Sequence, residues 1–232
     1  MIEAQNKNKF YAFLGFEGLM PIEDNIDILD SYYNDYGIRH ASLTWNEENK
    51  LATGARGDSS RGLTELGKKV IKKMNDKGMI VDVSHLNDKS FFDVVNITDS
   101  PIIASHSNSR KLCGSLRNLT DEQLKVIRDL NGVVGFNCYK DFVDEDKDKQ
   151  TIDRAVDHIK YIADTIGVNH IGLGFDYNEY FEDEGITGVK GLEDASKSYT
   201  ILEKLKEAGF NSDEIENIEY KNFHRVIKTV IK

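Results

Sequence analysis

The sequence predicts an α/β fold in which parallel strands form a (β/α)8 TIM-like barrel. Two observations support this fold: β-branched apolar runs alternate with helical patterns, and chemically active side chains follow directly after several of those runs. Strands that are apolar on both faces indicate a parallel sheet covered by helices. An open nucleotide-binding sheet is disfavoured, because the segment GLGFDY (172–177) lacks the third glycine of a phosphate-binding loop.

Six apolar runs are predicted as strands, and five amphipathic segments are predicted as helices. Glycines after three helical patterns, Gly78, Gly132 and Gly167, are predicted as left-handed caps. A full barrel needs roughly 250 residues, so we expect one domain, residues 1–232, that is short of a full barrel by about one βα unit or more. The predicted strands are Phe10–Phe16, Ile38–Thr44, Met79–Ser84, Pro101–Ser105, Gly132–Cys138 and His170–Phe175, and the predicted helices are Gly62–Lys77, Thr120–Leu130, Thr151–Ile166, Leu192–Ala208 and Glu219–Ile231.

Composition narrows the possible functions. The net charge of −10 argues against nucleic acid and anionic membrane surfaces as partners. No apolar run reaches the length needed to span a bilayer, and the first residues do not resemble a signal peptide. The two cysteines, Cys113 and Cys138, lack the spacing of a disulfide framework or a cysteine zinc site. We therefore expect a cytoplasmic protein with neither a nucleic-acid nor a membrane partner.

Histidine follows two neighbouring strands of the predicted barrel. His85 comes after Met79–Ser84, and His106 comes one βα repeat later. Glu17 and Asp176 follow two other strands. Because the carboxyl ends of barrel strands face one mouth, two imidazoles and two carboxylates there would suit one or two divalent metals that activate water for hydrolysis.

Each of these residues also has a simpler explanation. A strand-end histidine is more often a hydrogen-bonded packing residue, and a strand-end carboxylate is often a helix N-cap. Asp82 could be a buried acid with satisfied hydrogen bonds. Arg110 and Arg117 could clamp a substrate carboxylate at the barrel mouth or could lie on the surface. The remaining histidines are expected to be structural or solvated: His40, His158, His170 and His224.

Several segments resemble the membrane (renal) dipeptidase family, the zinc metallopeptidases of family M19. The resemblance covers most of the chain from residue 13 onward. It is carried by FLGFEGLMPIEDNIDILDSYYNDYGIRHASLTWNEEN (13–49), GLTELGKKVIKKMNDKGMIVDVSHL (62–86), PIIASHSNSRKLCGSLRNLTDEQL (101–124), GVVGFNCY (132–139), HIGLGFDY (170–177) and KNFHRVI (221–227).

The resemblance implies a barrel of the metal-dependent hydrolase type that cleaves dipeptides with zinc. Glu17 would bridge two zinc ions, and His85 and His106 would complete the shell of one of them. Asp176 would carry a proton from water to the leaving amine. Two residues would bind the free carboxylate of the dipeptide: Arg117 and Tyr139.

The sequence departs from the family pattern in two places. It contains no His-x-Asp pair, which in the family ends the first barrel strand and ligates the second zinc. The resemblance therefore implies a barrel domain, residues 1–232, that is truncated at its N-terminus by the first βα unit and has ligands for mainly one ion. Trp45 stands where some members have a histidine. Three readings therefore stay open: a metal-dependent dipeptidase, a non-catalytic barrel with at most one metal, and another amidohydrolase-like barrel. A homodimer is possible, and imidazole and carboxylate ligands also suit divalent ions other than zinc.

Overall fold

The structure, a computed structural model, describes residues 12, 14–22, 24–178, 185 and 187–231. It contains one six-stranded parallel sheet whose strands follow one another in chain order. The α/β fold is therefore confirmed. The strands are Leu14–Phe16 (β1), Ile38–Ser42 (β2), Ile80–Asp82 (β3), Ile103–Ala104 (β4), Val133–Phe136 (β5) and Ile171–Leu173 (β6).

Nine α-helices connect or follow these strands within the described residues. One further segment, Asn217–Lys221, is a π-helix that leads directly into the last helix. The helices are Ile28–Asn34 (α1), Glu65–Lys77 (α2), Asp88–Val95 (α3), Asp121–Asp129 (α4), Lys140–Val143 (α5), Ile152–Ile166 (α6), Thr200–Glu207 (α7), Ser212–Glu216 (α8) and Asn222–Val230 (α9).

The sheet curls like the wall of a barrel. Neighbouring strands lie about 4.8 Å apart, so the first and last strands of a flat six-stranded sheet would be about 24 Å apart. Yet Glu17, directly after β1, and Asp176, shortly after β6, line the same cavity. Six of the eight strands of a TIM-like barrel are present in the described part of the chain, and their carboxyl ends face one mouth.

A second, small apolar cluster lies beside the main core. It combines the first residues of three strands, Ile80, Ile103 and Val133, with Val226 and Val230 of α9. Successive strand residues face opposite sides of a sheet. Asp82 and Ser105, which come two residues after Ile80 and Ile103, therefore lie on the same face, nearer the carboxyl ends of the strands. Helix α9 thus covers the amino end of this face, and the polar residues lie nearer its carboxyl end.

All six predicted strands are found, although each is shorter than predicted. Residues 10, 11 and 13 of the first predicted strand lie outside the described part of the chain. The helix predicted over Leu192–Ala208 begins only at Thr200, because Asp194 accepts a hydrogen bond from the Ser196 amide and holds a 3-10 turn there. Four short helices, α1, α3, α5 and α8, were not predicted from the sequence pattern.

One of the three helix-end predictions is confirmed. Gly78 adopts the left-handed conformation after α2. Gly167 after α6 has a positive φ of 92°, but its ψ of 145° lies outside the left-handed helical conformation. After α4, however, the positive φ belongs to Asn131, at 56°. Gly132 is instead required because a Cβ there would collide with the carbonyl oxygen of Ile102 on the neighbouring strand. Thr120 and Gln123 form the predicted capping box of α4.

His158 of α6 is a buried structural residue, as expected from the sequence. Its Nδ1 accepts a hydrogen bond from the Ser109 amide at 3.2 Å, and its Nε2 donates to the Val143 carbonyl at 2.8 Å. These bonds require the neutral ring, and burial lowers the pKa of His158 to about 4. No helix among the described residues is long and apolar enough to cross a membrane.

Gly135 on β5 and Gly174 after β6 allow close approach of three strand ends. A Cβ at either position would collide with the carbonyl oxygen of Ser105, directly before His106. We expect Gly135→Ala to destabilise the protein by about 2 kcal/mol, because backbone must shift to accommodate the methyl group. Urea unfolding measures this value. Gly114→Ala is the matched control, since a Cβ there meets only the flexible end of Glu145, and equal stability of the two variants would contradict the expectation.

His158 also predicts a pH dependence of stability. Its folded pKa is about 4 and its unfolded pKa about 6.5, so below pH 6.5 the unfolded chain binds a proton that the folded protein does not. Stability is therefore complete above pH 6.5, and roughly 3 kcal/mol is lost as the pH falls towards 4. In metal-free protein we expect His158→Gln to flatten the unfolding free energy over this range. A profile parallel to that of wild type, or an equal effect of His224→Gln, would contradict this assignment.

Candidate active site

Three predicted metal ligands converge at the mouth of the sheet. His85 Nε2 lies 2.7 Å from Glu17 Oε1 and 2.8 Å from His106 Nε2, and His106 Nε2 lies 3.2 Å from the same Glu17 oxygen. Three ligand atoms around a tetrahedral ion with bonds of 2.0–2.1 Å lie about 3.3 Å apart. These atoms are therefore already grouped closely enough to hold one divalent metal ion.

The contacts among the three ligands also set their charges. Hydrogen bonds from His106 and His85 hold the pKa of the Glu17 carboxyl well below its usual range. Burial lowers the pKa of His85 to about 4, although its bond to Glu17 opposes this shift. Near neutral pH, Glu17 is therefore an anion and His85 a neutral imidazole, which are the forms that bind a metal.

Neighbouring side chains fix which ring nitrogen of each histidine is free. His85 Nδ1 donates to Asn46 Oδ1 at 3.0 Å, which leaves its Nε2 lone pair directed at Glu17 and His106. His106 Nδ1 lies 2.7 Å from the Ser105 hydroxyl oxygen. That hydroxyl donates to Asp82, so its oxygen accepts the His106 Nδ1 proton. In these tautomers both Nε2 atoms would be unprotonated, which is the form that binds a metal, and without a metal a proton on either Nε2 would be donated to Glu17.

Asp82 is buried between the ends of β3 and β4. One of its oxygens accepts hydrogen bonds from the amides of Ser84, at 2.9 Å, and Ser105, at 3.0 Å. His40 Nδ1 lies 3.9 Å from the other oxygen. Burial acts to raise the pKa of Asp82, but the nearby His106 and His40 and the bonds from Ser105 outweigh it and lower the pKa. Asp82 is thus a satisfied buried anion, and it anchors Ser105.

A cavity of about 430 Å³ opens beside the three ligands. Arg117 lies at its wall and is only 5% exposed. Its only side-chain hydrogen bond among the described residues runs from Nη2 to the His106 carbonyl at 3.5 Å, and its Nε has no partner there. Burial lowers the pKa of Arg117 to about 10, which leaves it charged at neutral pH. A buried cation with unused donors suits an anionic ligand.

Asp176 and Tyr139 line the same cavity. Asp176 Oδ2 accepts a hydrogen bond from Asn137 Nδ2 at 3.0 Å, and Asn137 Oδ1 accepts one from the Tyr139 amide at 2.7 Å. Asn137 is itself held by Asn108, whose Oδ1 accepts from the Asn137 amide at 3.0 Å. The buried Asn137 therefore sets the positions of both predicted residues.

Two residues of the site have backbones in the left-handed region. His85 has a φ of 71° and Asp176 a φ of 61°. Such angles are uncommon outside glycine and are costly unless the surroundings hold them. The His85 carbonyl is held by the Ala55 amide at 2.7 Å. These angles turn both side chains out of the strand direction and into the mouth.

The structure thus brings all six predicted site residues to one place. Glu17, His85, Arg117, Tyr139 and Asp176 line the cavity, and His106 contacts two of them. Arg110 lies elsewhere, in an ion pair with Asp88. Sequence reasoning missed three supporting residues, Asn46, Ser105 and Arg56. Asn137 was recognised only as one of the residues that follow a predicted strand, and of the three missed residues only Ser105 directly follows a strand.

Comparison with known proteins agrees with this geometry. Residues 1–232 match the family model of the membrane dipeptidases, peptidase family M19. The uncharacterized dipeptidase C965.12 of Schizosaccharomyces pombe is 37% identical over 231 residues, which are 97% of this chain and 54% of that protein. Dipeptidase aclJ of Aspergillus oryzae is 33% identical over 223 residues, 94% of this chain and 51% of that protein. The chain spans about half the length of these curated relatives.

Solved structures show the same fold. A metallopeptidase from Rhodobacter sphaeroides, liganded with a phosphinate mimic of the dipeptide L-Ala-D-Ala, superposes with a TM-score of 0.84 at 26% identity, covering 94% of this chain and 63% of that one. The probable dipeptidase PvdM from Pseudomonas aeruginosa superposes with a TM-score of 0.89 at 22% identity, covering 99% and 71%.

The contact between Ser105 and His106 predicts an effect on metal affinity. We expect Ser105→Ala to weaken zinc binding by about tenfold, because His106 Nδ1 loses the acceptor that fixes its tautomer. Competition with a chromophoric chelator measures this affinity. Ser107→Ala is the matched control, since Ser107 lies two residues away, is more buried than Ser105, and has a hydroxyl with no partner among the described residues. Equal affinity of the two variants would exclude a role for Ser105.

Proposed function

Because the chain belongs to the membrane dipeptidase family, peptidase family M19, we propose that it hydrolyses the peptide bond of dipeptides with zinc. One observation supports this most directly. Three metal-ligand atoms lie within 3.2 Å of one another beside a cavity that also presents a buried arginine and an aspartate. The proposal treats residues 1–232 as one metallo-dipeptidase domain.

Glu17, His85 and His106 would hold the zinc ion. Their donor set, one carboxylate oxygen and two imidazole nitrogens, is a common zinc environment and leaves room for a substrate. When bound, zinc supplies Lewis acidity, which polarises a carbonyl and eases deprotonation of water. The exposed side of Glu17 would allow its second oxygen to contact another ion. The sequence contains no His-x-Asp pair to complete such a second site.

Arg117 and Tyr139 would position the dipeptide. The free carboxylate would accept hydrogen bonds from the unused donors of the Arg117 guanidinium, which burial makes stronger than they would be in water. Tyr139 lies on the same wall, with its ring 4.7 Å from that of Phe142. Because one end of the dipeptide would be held there, its peptide carbonyl would lie near the metal ligands, and effective concentration would favour attack by water.

Asp176 would be the general base and then the general acid. Its carboxylate, oriented by Asn137, would accept a proton from the attacking water and deliver it to the leaving amine. The bond from Asn137 uses one oxygen and leaves the other for proton transfer. The alternative, a non-catalytic barrel that binds one metal, requires the same ligands but no such role for Asp176.

Substitution of Asp176 tests the proposal. We expect Asp176→Asn to lower kcat for alanyl dipeptides at least 100-fold, because a proton acceptor is lost, while the zinc content stays that of wild type. Asparagine tolerates the left-handed backbone at this position. Initial rates of amine release and metal analysis of the same samples give both values.

Asp148→Asn is the matched control, because Asp148 is an exposed carboxylate outside the cavity. Zinc-loaded wild-type protein that binds one ion and cleaves no dipeptide would support the non-catalytic alternative. Hydrolysis that persists in Asp176→Asn would require a different proton carrier.

A further inference from the structure

Two arginines facing the cavity differ from all the others in the chain. The sequence has eight arginines. Six of them direct their guanidinium groups at carboxylates or backbone carbonyls: Arg39, Arg61, Arg110, Arg128, Arg154 and Arg225. The Arg117 guanidinium makes only the long bond to the His106 carbonyl among the residues that the structure describes. Arg56 makes no side-chain hydrogen bond or ion pair with any residue in the described part of the chain.

The backbone of Arg56 is tied to the metal-ligand region. Its amide donates to the Asn46 carbonyl at 2.8 Å, and the preceding amide, of Ala55, donates to the His85 carbonyl at 2.7 Å. The Arg56 side chain lines the cavity and is exposed at its mouth. Its position is therefore fixed by the same loop that orients His85, and its charged end is free to meet a ligand.

Neither carboxylate among the described residues that line the cavity, Glu17 or Asp176, makes an ion pair with Arg56. With the proposed metal and substrate bound, Glu17 would be engaged by zinc and Arg117 by the terminal carboxylate. Arg56 is close enough to Arg117 that its charge contributes to lowering the pKa of Arg117. Two guanidinium groups at one site favour a ligand with two anionic groups, and the planar fork of arginine matches a carboxylate.

We propose that Arg56 selects dipeptides whose C-terminal residue is aspartate or glutamate. Arg117 binds the α-carboxylate of that residue, and Arg56 binds the side-chain carboxylate. This assignment rests on the proposed dipeptidase function and names its substrate class. The C-terminal residue is favoured because its two carboxylates are joined by a few bonds, which matches two neighbouring cations on one cavity.

The test compares isosteric dipeptides that differ only in charge. Calorimetric titration of zinc-loaded Asp176→Asn protein with Ala-Glu and Ala-Gln measures affinity without turnover. We expect Ala-Glu to bind about fivefold more tightly, the effect of one partly exposed charged hydrogen bond. In the double variant with Arg56→Gln, this ratio should fall to about one. Raising the salt concentration should reduce the ratio in the parent protein.

Arg61→Gln is the matched control, since Arg61 lies on the same loop but pairs with Glu48 outside the cavity. It should leave the Ala-Glu to Ala-Gln ratio as it was. Equal affinity for the two dipeptides, binding of neither, or a ratio that survives Arg56→Gln would overturn the proposal. A preference for Glu-Ala over Gln-Ala without one for Ala-Glu would also overturn it, because the acidic side chain would then be read at the other end.

Hydrolysis separates this proposal from the general function. Wild-type protein that cleaves Ala-Gln but shows no preference for Ala-Glu refutes the role of Arg56 and leaves the dipeptidase function standing. Protein that binds Ala-Glu selectively through Arg56 but cleaves neither dipeptide refutes the dipeptidase function and retains the recognition site.

Discussion

The buried carboxylate of Asp82 is the interaction on which fold and site both depend. A charge removed from water must be compensated by hydrogen bonds, and Asp82 receives them from two backbone amides and the Ser105 hydroxyl. These bonds join the ends of β3 and β4, which share only one register pair, Asp82 with Ile103. The same hydroxyl accepts the proton of His106 Nδ1. The hydrogen bonds of the Asp82 carboxylate therefore support both the pairing of β3 with β4 and the orientation of His106.

Because the sheet is curved, residues that follow different strands face the same cavity. Glycines at positions 135 and 174 leave room for the Ser105 carbonyl, and Gly15 leaves room for the His40 ring. At the opposite end of the strands, α9 fills the space with apolar side chains. The concave face is therefore apolar at its amino end and polar towards its carboxyl end. Residues from the first and last strands reach one cavity only because of this packing.

The sequence predicted the strands and most of the site because their signals are local. Apolar runs mark the strands, and a side chain directly after a strand lies at the mouth whatever follows it. Glu17, His85 and His106 were found in this way, whereas Arg117 and Tyr139 needed the family resemblance. Helix α1, seven residues long, has too little periodicity to be recognised.

The roles of the supporting residues could not be predicted from the sequence, since they depend on partners far along the chain. Asn46 bonds to His85, 39 positions away, and Asn137 bonds to Asp176, also 39 positions away. Asparagine is common in loops, so neither has a distinctive pattern. Arg56 was missed for a related reason. It differs from six other arginines because their guanidinium groups pair with carboxylates or carbonyls, and only the folded structure shows those pairs.

The site is also where this chain departs from the rules that the rest of it obeys. Two non-glycine residues with left-handed backbones, His85 and Asp176, and a buried guanidinium with unused donors, Arg117, all face one cavity. Each arrangement costs free energy in the isolated protein. The buried His158, outside the site, is by contrast bonded at both ring nitrogens. A ligand with a carboxylate would satisfy the unused donors of Arg117, and a carbonyl that binds the metal would lie beside both strained side chains. These unusual features therefore indicate a small ligand that is anionic at one end and polarisable near its centre.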